Sequence, residues 1–459
     1  MADRSLFASA WWPPHSTGRR RFSSPPAAGT MVPVTSSEQR GGPAQAVITP
    51  LADEKGYADE LIRRLCDELP PRRTGTPAEL RAQEFVAAEF DRIGLSTELE
   101  PFRFNDNLYA ALALHFGVGV LASVVAGRRP VLGAGLHALV GGSYWLDSTR
   151  RAEILRRALP YRGSQNLVAT IPAAGETRLR IVCLSHIDAS YTGRMFEPRF
   201  KKRFYHKGES APYTAKSLAI PTHAELVAAA VALTRAVLGK RSASAERLLR
   251  QIEYGLTVPS LLGLVLNGEI VLRDLTVPGA SDNLTGVAAC LLLANRLRAE
   301  RHPDVEYVFV ATGAEEAGTG GARRLVEAKR EEWSPADTVV LAIDTLSGGE
   351  IFYGEEGEFG ALVVPSLLEQ AFTGAAASDP DFDGIRKYRV PVGGTDAQTF
   401  SYAGYEAGSI ICVDLSEGSP RHYHHPSDTP DNVDLDTFAL ALDFAEAVID
   451  RIVEARLGY

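Results

Sequence analysis

The chain has 459 residues, a formal net charge of −9 at pH 7 and four cysteines. That length suffices for a large buried core, and an acidic balance with no long basic stretch argues against a nucleic-acid partner. The cysteines are scattered: Cys183, Cys290 and Cys412 lie in apolar runs and read as buried thiols, and Cys66 stands apart. Neither a disulfide framework nor a Cys-x-x-Cys metal site is expected, which favours a reducing compartment.

Residues 1–45 are rich in Pro, Ser, Gly and Arg and are expected to be a disordered tail. Arg19, Arg20 and Arg21 are followed by Phe22-Ser23-Ser24-Pro25-Pro26 rather than by an apolar run, so no secretory signal peptide is expected. A single domain over 46–455 follows, with insertions at 107–147 and 190–275. Residues 58–104 should add a helix packed on a sheet and an edge strand.

The first insertion is a hydrophobic helical hairpin. Leu108 to Ala126 has His115 as its one strongly polar side chain. Gly127-Arg128-Arg129-Pro130 turns the chain, and 131–146 is apolar apart from His137 and Ser143. The first run approaches the ~20 residues that cross a bilayer, and the second is shorter. Tyr144 and Trp145 suit a membrane interface. Two readings stand: membrane association through 108–146, or a buried or lid-forming hairpin in a soluble enzyme. If the hairpin spans, both its ends lie on one side. Without a signal peptide, the catalytic domain is then expected on the cytoplasmic side; the alternative is a cytoplasmic protein.

From residue 160 onward, alternating strands and helices argue for a three-layer α/β sandwich. Its sheet should be mixed and mostly parallel, with helices on both faces. The apolar run Ile181-Val182-Cys183-Leu184 ends in His186-Ile187-Asp188. Strand ends collect ligands in such folds. The Asp188 carboxylate is spaced to accept the second ring N–H of His186. A satisfied strand-end histidine is the bland reading. The second insertion reads as a helical cap over the site or an interfacial anchor. Its basic stretch Arg199 to Lys207 reads as a solvated loop, Thr222 as the N-cap of a helix to Leu238, and Val258–Leu266 as apolar but too short to span.

Pro278-Gly279 then delivers Asp282 ahead of a small-residue helix running to about Arg298. A plain N-cap would look the same, whereas a carboxylate there can also bridge two cations. Tyr307 to Thr312 leads to the adjacent Glu315 and Glu316, which repel each other at a buried strand end unless a cation or proton compensates. Thr338 to Ile343 ends at Asp344, and a proline-bounded loop holds His422, His424 and His425. Spacing alone does not choose among these three histidines. Taken together, successive strands and turns end in hard or borderline metal ligands. His186, Asp282, Glu316, Asp344 and one of these histidines, with Glu315 left over as a base, are the inventory for two zinc ions sharing a carboxylate. It points to metal-assisted hydrolysis of a peptide bond.

The ordered motifs resemble the M28 family of zinc metallopeptidases, the aminopeptidase and glutamate-carboxypeptidase-like group. The likeness rests on Ser164 to Ala169, Ser185-His186-Ile187-Asp188, Pro278 to Asn283, Gly313-Ala314-Glu315-Glu316, Ala342-Ile343-Asp344, Gly394-Thr395-Asp396-Ala397 and Tyr423-His424-His425-Pro426-Ser427-Asp428-Thr429. It implies two Zn2+ per chain (other divalent metals remaining open), with Asp282 bridging, His186 and Asp344 completing one site, and Glu316 and His424 the other. Glu315 is then the general base, Asp188 orients His186, Asp428 supports the His424 loop, and a peptide is the substrate. The chain departs from the family pattern in the long segment between His186 and Asp282 and in a glycine-rich turn after Glu316 that lacks the serine common there. The alternatives on the same fold are a carboxypeptidase, a glutaminyl cyclase or an inactive membrane scaffold.

Overall fold

A computed structural model describes residues 53–458, apart from 70, 209–218, 239–241, 300–301, 358, 360–361 and 391–392. The tail at 1–45 lies outside the described residues. The eight-stranded sheet comprises β1 (Ser96–Asn105), β2 (Tyr161–Ile171), β3 (Leu179–His186), β4 (Val305–Thr312), β5 (Thr338–Asp344), β6 (Glu350–Glu355), β7 (Arg386–Arg389) and β8 (Glu406–Val413). Their order is β1-β2-β4-β3-β5-β8-β6-β7. β4, β3, β5 and β8 run parallel, β1 and β2 pair antiparallel at one side, and β6 is antiparallel to β8. This is the mixed, mostly parallel α/β sheet expected.

The helices are α1 (Glu54–Glu68), α2 (Pro77–Arg92), α3 (Leu108–Ala126), α4 (Pro130–Ser148), α5 (Pro198–Phe204), α6 (Ala219–Leu238), α7 (Ala243–Arg273), α8 (Thr285–Ala299), α9 (Gly320–Lys329), α10 (Ser366–Ala376), α11 (Asp396–Tyr402) and α12 (Leu435–Leu457). Strand periodicity sorts the sheet's side chains between two faces. Val182, Leu184, Val310, Val340 and Ala342 meet Ala322 and Leu325 of α9 and Phe400 of α11. The alternate residue Phe309 meets Phe90 of α2, their ring centroids 6.3 Å apart. Every residue of β3 is buried, as a central parallel strand covered on both faces requires. α8 passes so close to β5 that a Cβ on Gly286 would stand 2.2 Å from the Ile343 carbonyl oxygen.

Four local expectations change. The 58–104 segment holds α1 and α2 before the edge strand β1, two helices rather than one. Thr222 lies inside α6, not at its N-cap. The 199–207 stretch contributes α5, and Lys201 is buried because its ammonium pairs with Glu417 (2.5 Å) and reaches Ser419 (3.2 Å). The apolar run around Val258 is the second half of the 31-residue α7. α3, α4, α6 and α7 pack side by side as an antiparallel bundle beside the sheet.

Candidate metal centre

His186 closes β3, Asp344 closes β5, and Glu315 and Glu316 follow β4 after the Gly313-Ala314 turn. Asp282 sits in the turn before α8. His424 lies in the loop after β8, with φ +50. These segments bring three donor groups within 4.8 Å: His186 with Asp282 and Asp344; Asp282 with Glu316 and His424; and His186 with Glu315 and Glu316. The first two share Asp282. Its Oδ1 is 3.1 Å from His186 Nε2, and its Oδ2 is 3.3 Å from His424 Nε2. His424 Nε2 is also 3.3 Å from Glu316 Oε1.

His424 is the histidine turned inward. His422 and His425 instead each hold the Ser427 hydroxyl at 2.7 Å through Nδ1. The inward ring is fixed by a group far upstream: Nδ1 of His424 shares a hydrogen bond of 3.0 Å with the hydroxyl of Tyr109, in the first turn of α3. Phe196 packs edge-on against the same ring at 4.7 Å. Nothing in the spacing connects an aromatic residue opening an apolar run with a loop histidine 315 positions away.

Asp188 and Asp428 work differently from the sequence reading. The Nδ1 of His186 faces the backbone carbonyl of Asp188 at 3.0 Å, whereas the carboxylate is farther off at 3.6 Å. That carboxylate accepts the backbone N–H groups of Glu315 and Glu316, both at 3.1 Å, and the Thr74 hydroxyl at 2.8 Å. It therefore sets the direction of the two-glutamate turn. The Asp428 carboxylate accepts the N–H groups of Ser281 (2.8 Å) and Asp282 (3.2 Å), so it braces the Asp282 turn. Arg72, fully buried, adds a clamp by donating to the carbonyls of Ile187 (3.1 Å) and Gly279 (3.0 Å).

The electrostatics show a site rich in negative charge. Burial lowers the proton affinity of both histidines, but the facing carboxylates outweigh it. His186 is raised well above its ordinary value and His424 is pushed up to about 9. Burial drives the Glu315 carboxyl well above its usual range and Asp344 up to about 7. Asp282 goes the other way, because the two imidazoles overcome its burial. Asp282 Oδ2 and Glu316 Oε1 are buried and make no hydrogen bond. Orphaned carboxylate oxygens beside imidazoles, at strand ends that converge on one point, fit divalent cations.

Above the donors lies a cavity of about 170 Å³. Leu108, Leu112 and Tyr144 of α3 and α4 form one apolar wall, and Tyr205 and Val390 form others. Asp147, Arg156 and Arg323 also line the cavity, with Asp147 accepting from both guanidinium groups at 2.8 Å. The first hydrophobic insertion is thus part of the site, through Tyr109 beneath and these side chains beside it.

A mixed α/β sheet with imidazole and carboxylate donors at its strand ends defines an α/β protein with a metal site at the carboxyl ends of its strands. A sequence model of Peptidase family M28 matches residues 268–449. No curated protein sequence matches the chain. A zinc aminopeptidase from Bacillus subtilis shares the fold at 15% identity and TM-score 0.50, covering 87% of this chain and 95% of its own. An aminopeptidase from Aneurinibacillus sp. strain AM-1 does so at 16% identity and TM-score 0.50, covering 87% and 93%. A glutaminyl cyclase from Fimbriiglobus ruber gives 13% identity and TM-score 0.50 over 90% and 99%.

Proposed function

We propose that this peptidase is a metal-dependent exopeptidase, a two-zinc aminopeptidase that removes N-terminal residues from peptides. The reading is carried by one observation: two donor triads that share Asp282, with a further carboxylate, Glu315, unspent beside them. His186, Asp282 and Asp344 would hold one zinc, and Asp282, Glu316 and His424 the other. Bound zinc supplies Lewis acidity toward a scissile carbonyl and acidifies water at neutral pH. Glu315 takes a proton from the attacking water and delivers it to the leaving amine nitrogen as the C–N bond breaks and the new C–O bond forms. Asp188 keeps Glu315 aimed through the backbone of the glutamate turn. The small cavity suits a chain terminus better than the middle of a polypeptide.

The test is a panel of aminoacyl-anilides, N-blocked peptides and peptides beginning with glutamine, with and without a chelator. Chelator-sensitive cleavage confined to free-amine substrates is the expected result. Ring closure of N-terminal glutamine without cleavage would replace it with the cyclase reading, which the shared fold of the Fimbriiglobus protein keeps in view. Cleavage of N-blocked substrates from the carboxyl end would make it a carboxypeptidase. No cleavage and no retained metal would point to a scaffold.

A further inference from the structure

The bundle of α3, α4, α6 and α7 is built with its polar groups inside. His137 Nδ1 is 2.6 Å from Glu225 Oε2, the Ser260 hydroxyl donates to Glu225 Oε1 at 2.5 Å, and His115 shares a 2.9 Å bond with Ser143. Arg235 and Glu253, both buried, face each other at 3.5 Å. Small residues let the backbones approach: Ala126, Ala134 and Ala232 form one contact, and a Cβ on Gly133 would stand 2.2 Å from that of Ala126. Leu112, Phe116, Val140 and Tyr144 are buried, but many other large apolar side chains point outward. Leu121, Leu132, Leu139, Val227, Leu233 and Leu261, drawn from all four helices, are among those at least 40% exposed.

The geometry points to a lipid bilayer as the medium around this bundle: we propose that α3, α4, α6 and α7 are embedded in acyl chains, holding the catalytic cleft at the membrane surface. Three features favour lipid over a protein partner. The outward apolar residues lie on every helix, and one partner surface would cover only some of them. The 19 residues of α3 rise about 28 Å, close to the roughly 30 Å of a hydrocarbon core. α3 and α7 are each long and apolar enough to cross it, and only 17% of the most apolar stretch of α7 is buried in the protein. Charge also collects at the end remote from the sheet. Arg128 and Arg129 are exposed in the α3–α4 turn, and Arg250 donates to the Gly127 carbonyl there (3.3 Å), where lipid phosphates would lie. Small residues and internal hydrogen bonds are how helices associate in lipid. The sequence reading allowed spanning for 108–146 and an interfacial anchor at most for the second insertion; the proposal embeds α6 and α7 as well.

This inference does not depend on the reaction catalysed. The test is flotation of the full chain on a density gradient, from membranes washed in alkaline carbonate and from phosphatidylcholine–phosphatidylglycerol vesicles. The protein should float in both, as should Glu315→Gln. A variant carrying Leu139→Arg, Val227→Arg and Leu261→Arg should lose at least about tenfold of its floating fraction, since each arginine is costly at mid-bilayer. Leu80→Arg on the surface of α2 should change nothing. Protein that stays at the bottom of the gradient, whether dispersed, dimeric or aggregated, would overturn the proposal. So would a triple-arginine variant that floats like the parent.

Discussion

The sheet and the helical bundle solve the same problem with opposite polarity. Around β3 and β4 the interior is aliphatic and aromatic, with Val182, Leu184, Phe309 and Val310 fully buried. In the bundle His137, Glu225 and Ser260 lie inside beside a few apolar residues such as Leu112 and Val140, and many leucines and valines face out. Burial of apolar surface is favourable only when the alternative is water. A helix set in acyl chains gains nothing by hiding leucine and loses several kcal/mol by exposing an unsatisfied polar group. On the proposed embedding in lipid, the two regions record two solvents. They meet at the candidate metal centre, where Tyr109 of the bundle holds His424 of the loop after β8.

The comparison can be broken in steps. The largest effect belongs to the catalytic side alone. Glu315→Gln should lower turnover by about 10²–10⁴-fold, the range for a lost general base, while metal content and flotation stay at parental levels. Metal lost along with turnover would make Glu315 a ligand instead. Next, Phe309→Ala in the sheet should cost roughly 3–5 kcal/mol in denaturant unfolding, through lost burial and the cavity left behind. Leu261→Ala on the outer face of α7 should cost under about 1 kcal/mol in detergent. Equal costs at the two positions would mean that α7 is a core helix against an unseen partner.

Tyr109→Phe examines the junction. It removes only the hydroxyl on His424 Nδ1, and loss of such a support typically lowers metal affinity or activity by about 10–100-fold. Isothermal metal titration and kcat should both register it, while thermal unfolding of the apoprotein stays put. An unchanged affinity would leave α3 as mere packing. The smallest effect is at Asp434, the N-cap of α12. Burial alone would raise its carboxyl, but hydrogen bonds from the backbone and hydroxyl of Thr437 hold it below its ordinary value. A depressed folded value means that the contribution is present above the unfolded value and lost as pH falls through the folded one. Asp434→Ala should therefore cost about 1 kcal/mol at neutral pH, with the difference vanishing in acid. A difference that persisted at low pH would show the cap to be charge-independent.

Much of the catalytic side is legible in the chain. His186 and Asp344 end apolar runs, and a buried parallel strand reads as such a run wherever it occurs. Glu315 and Glu316 stand out because adjacent carboxylates after an apolar strand need a reason. The His422, His424 and His425 cluster is not resolved by spacing, since only the loop's backbone decides which ring turns inward. The division of labour at Asp188 is equally hidden: whether its carbonyl or its carboxylate meets His186 depends on a few degrees of backbone at the end of β3. The inward-facing charges of α6 and α7 are hidden in the sequence for a different reason. Scattered charges such as Glu225, Arg235 and Glu253 interrupt their apolar runs, and a linear reading counts them as exposed, whereas they face one another inside the bundle.

The sequence by itself determined the donor types, their order and the α/β layering, because strand periodicity and ligand chemistry are properties of short segments. Only the tertiary structure decided that Tyr109 anchors His424, that Asp428 braces the Asp282 turn and that four helices turn their charges toward one another. Each of those contacts joins residues far apart in the chain. Which distant partner satisfies a buried polar group is settled by how the elements pack, not by the segment that carries it.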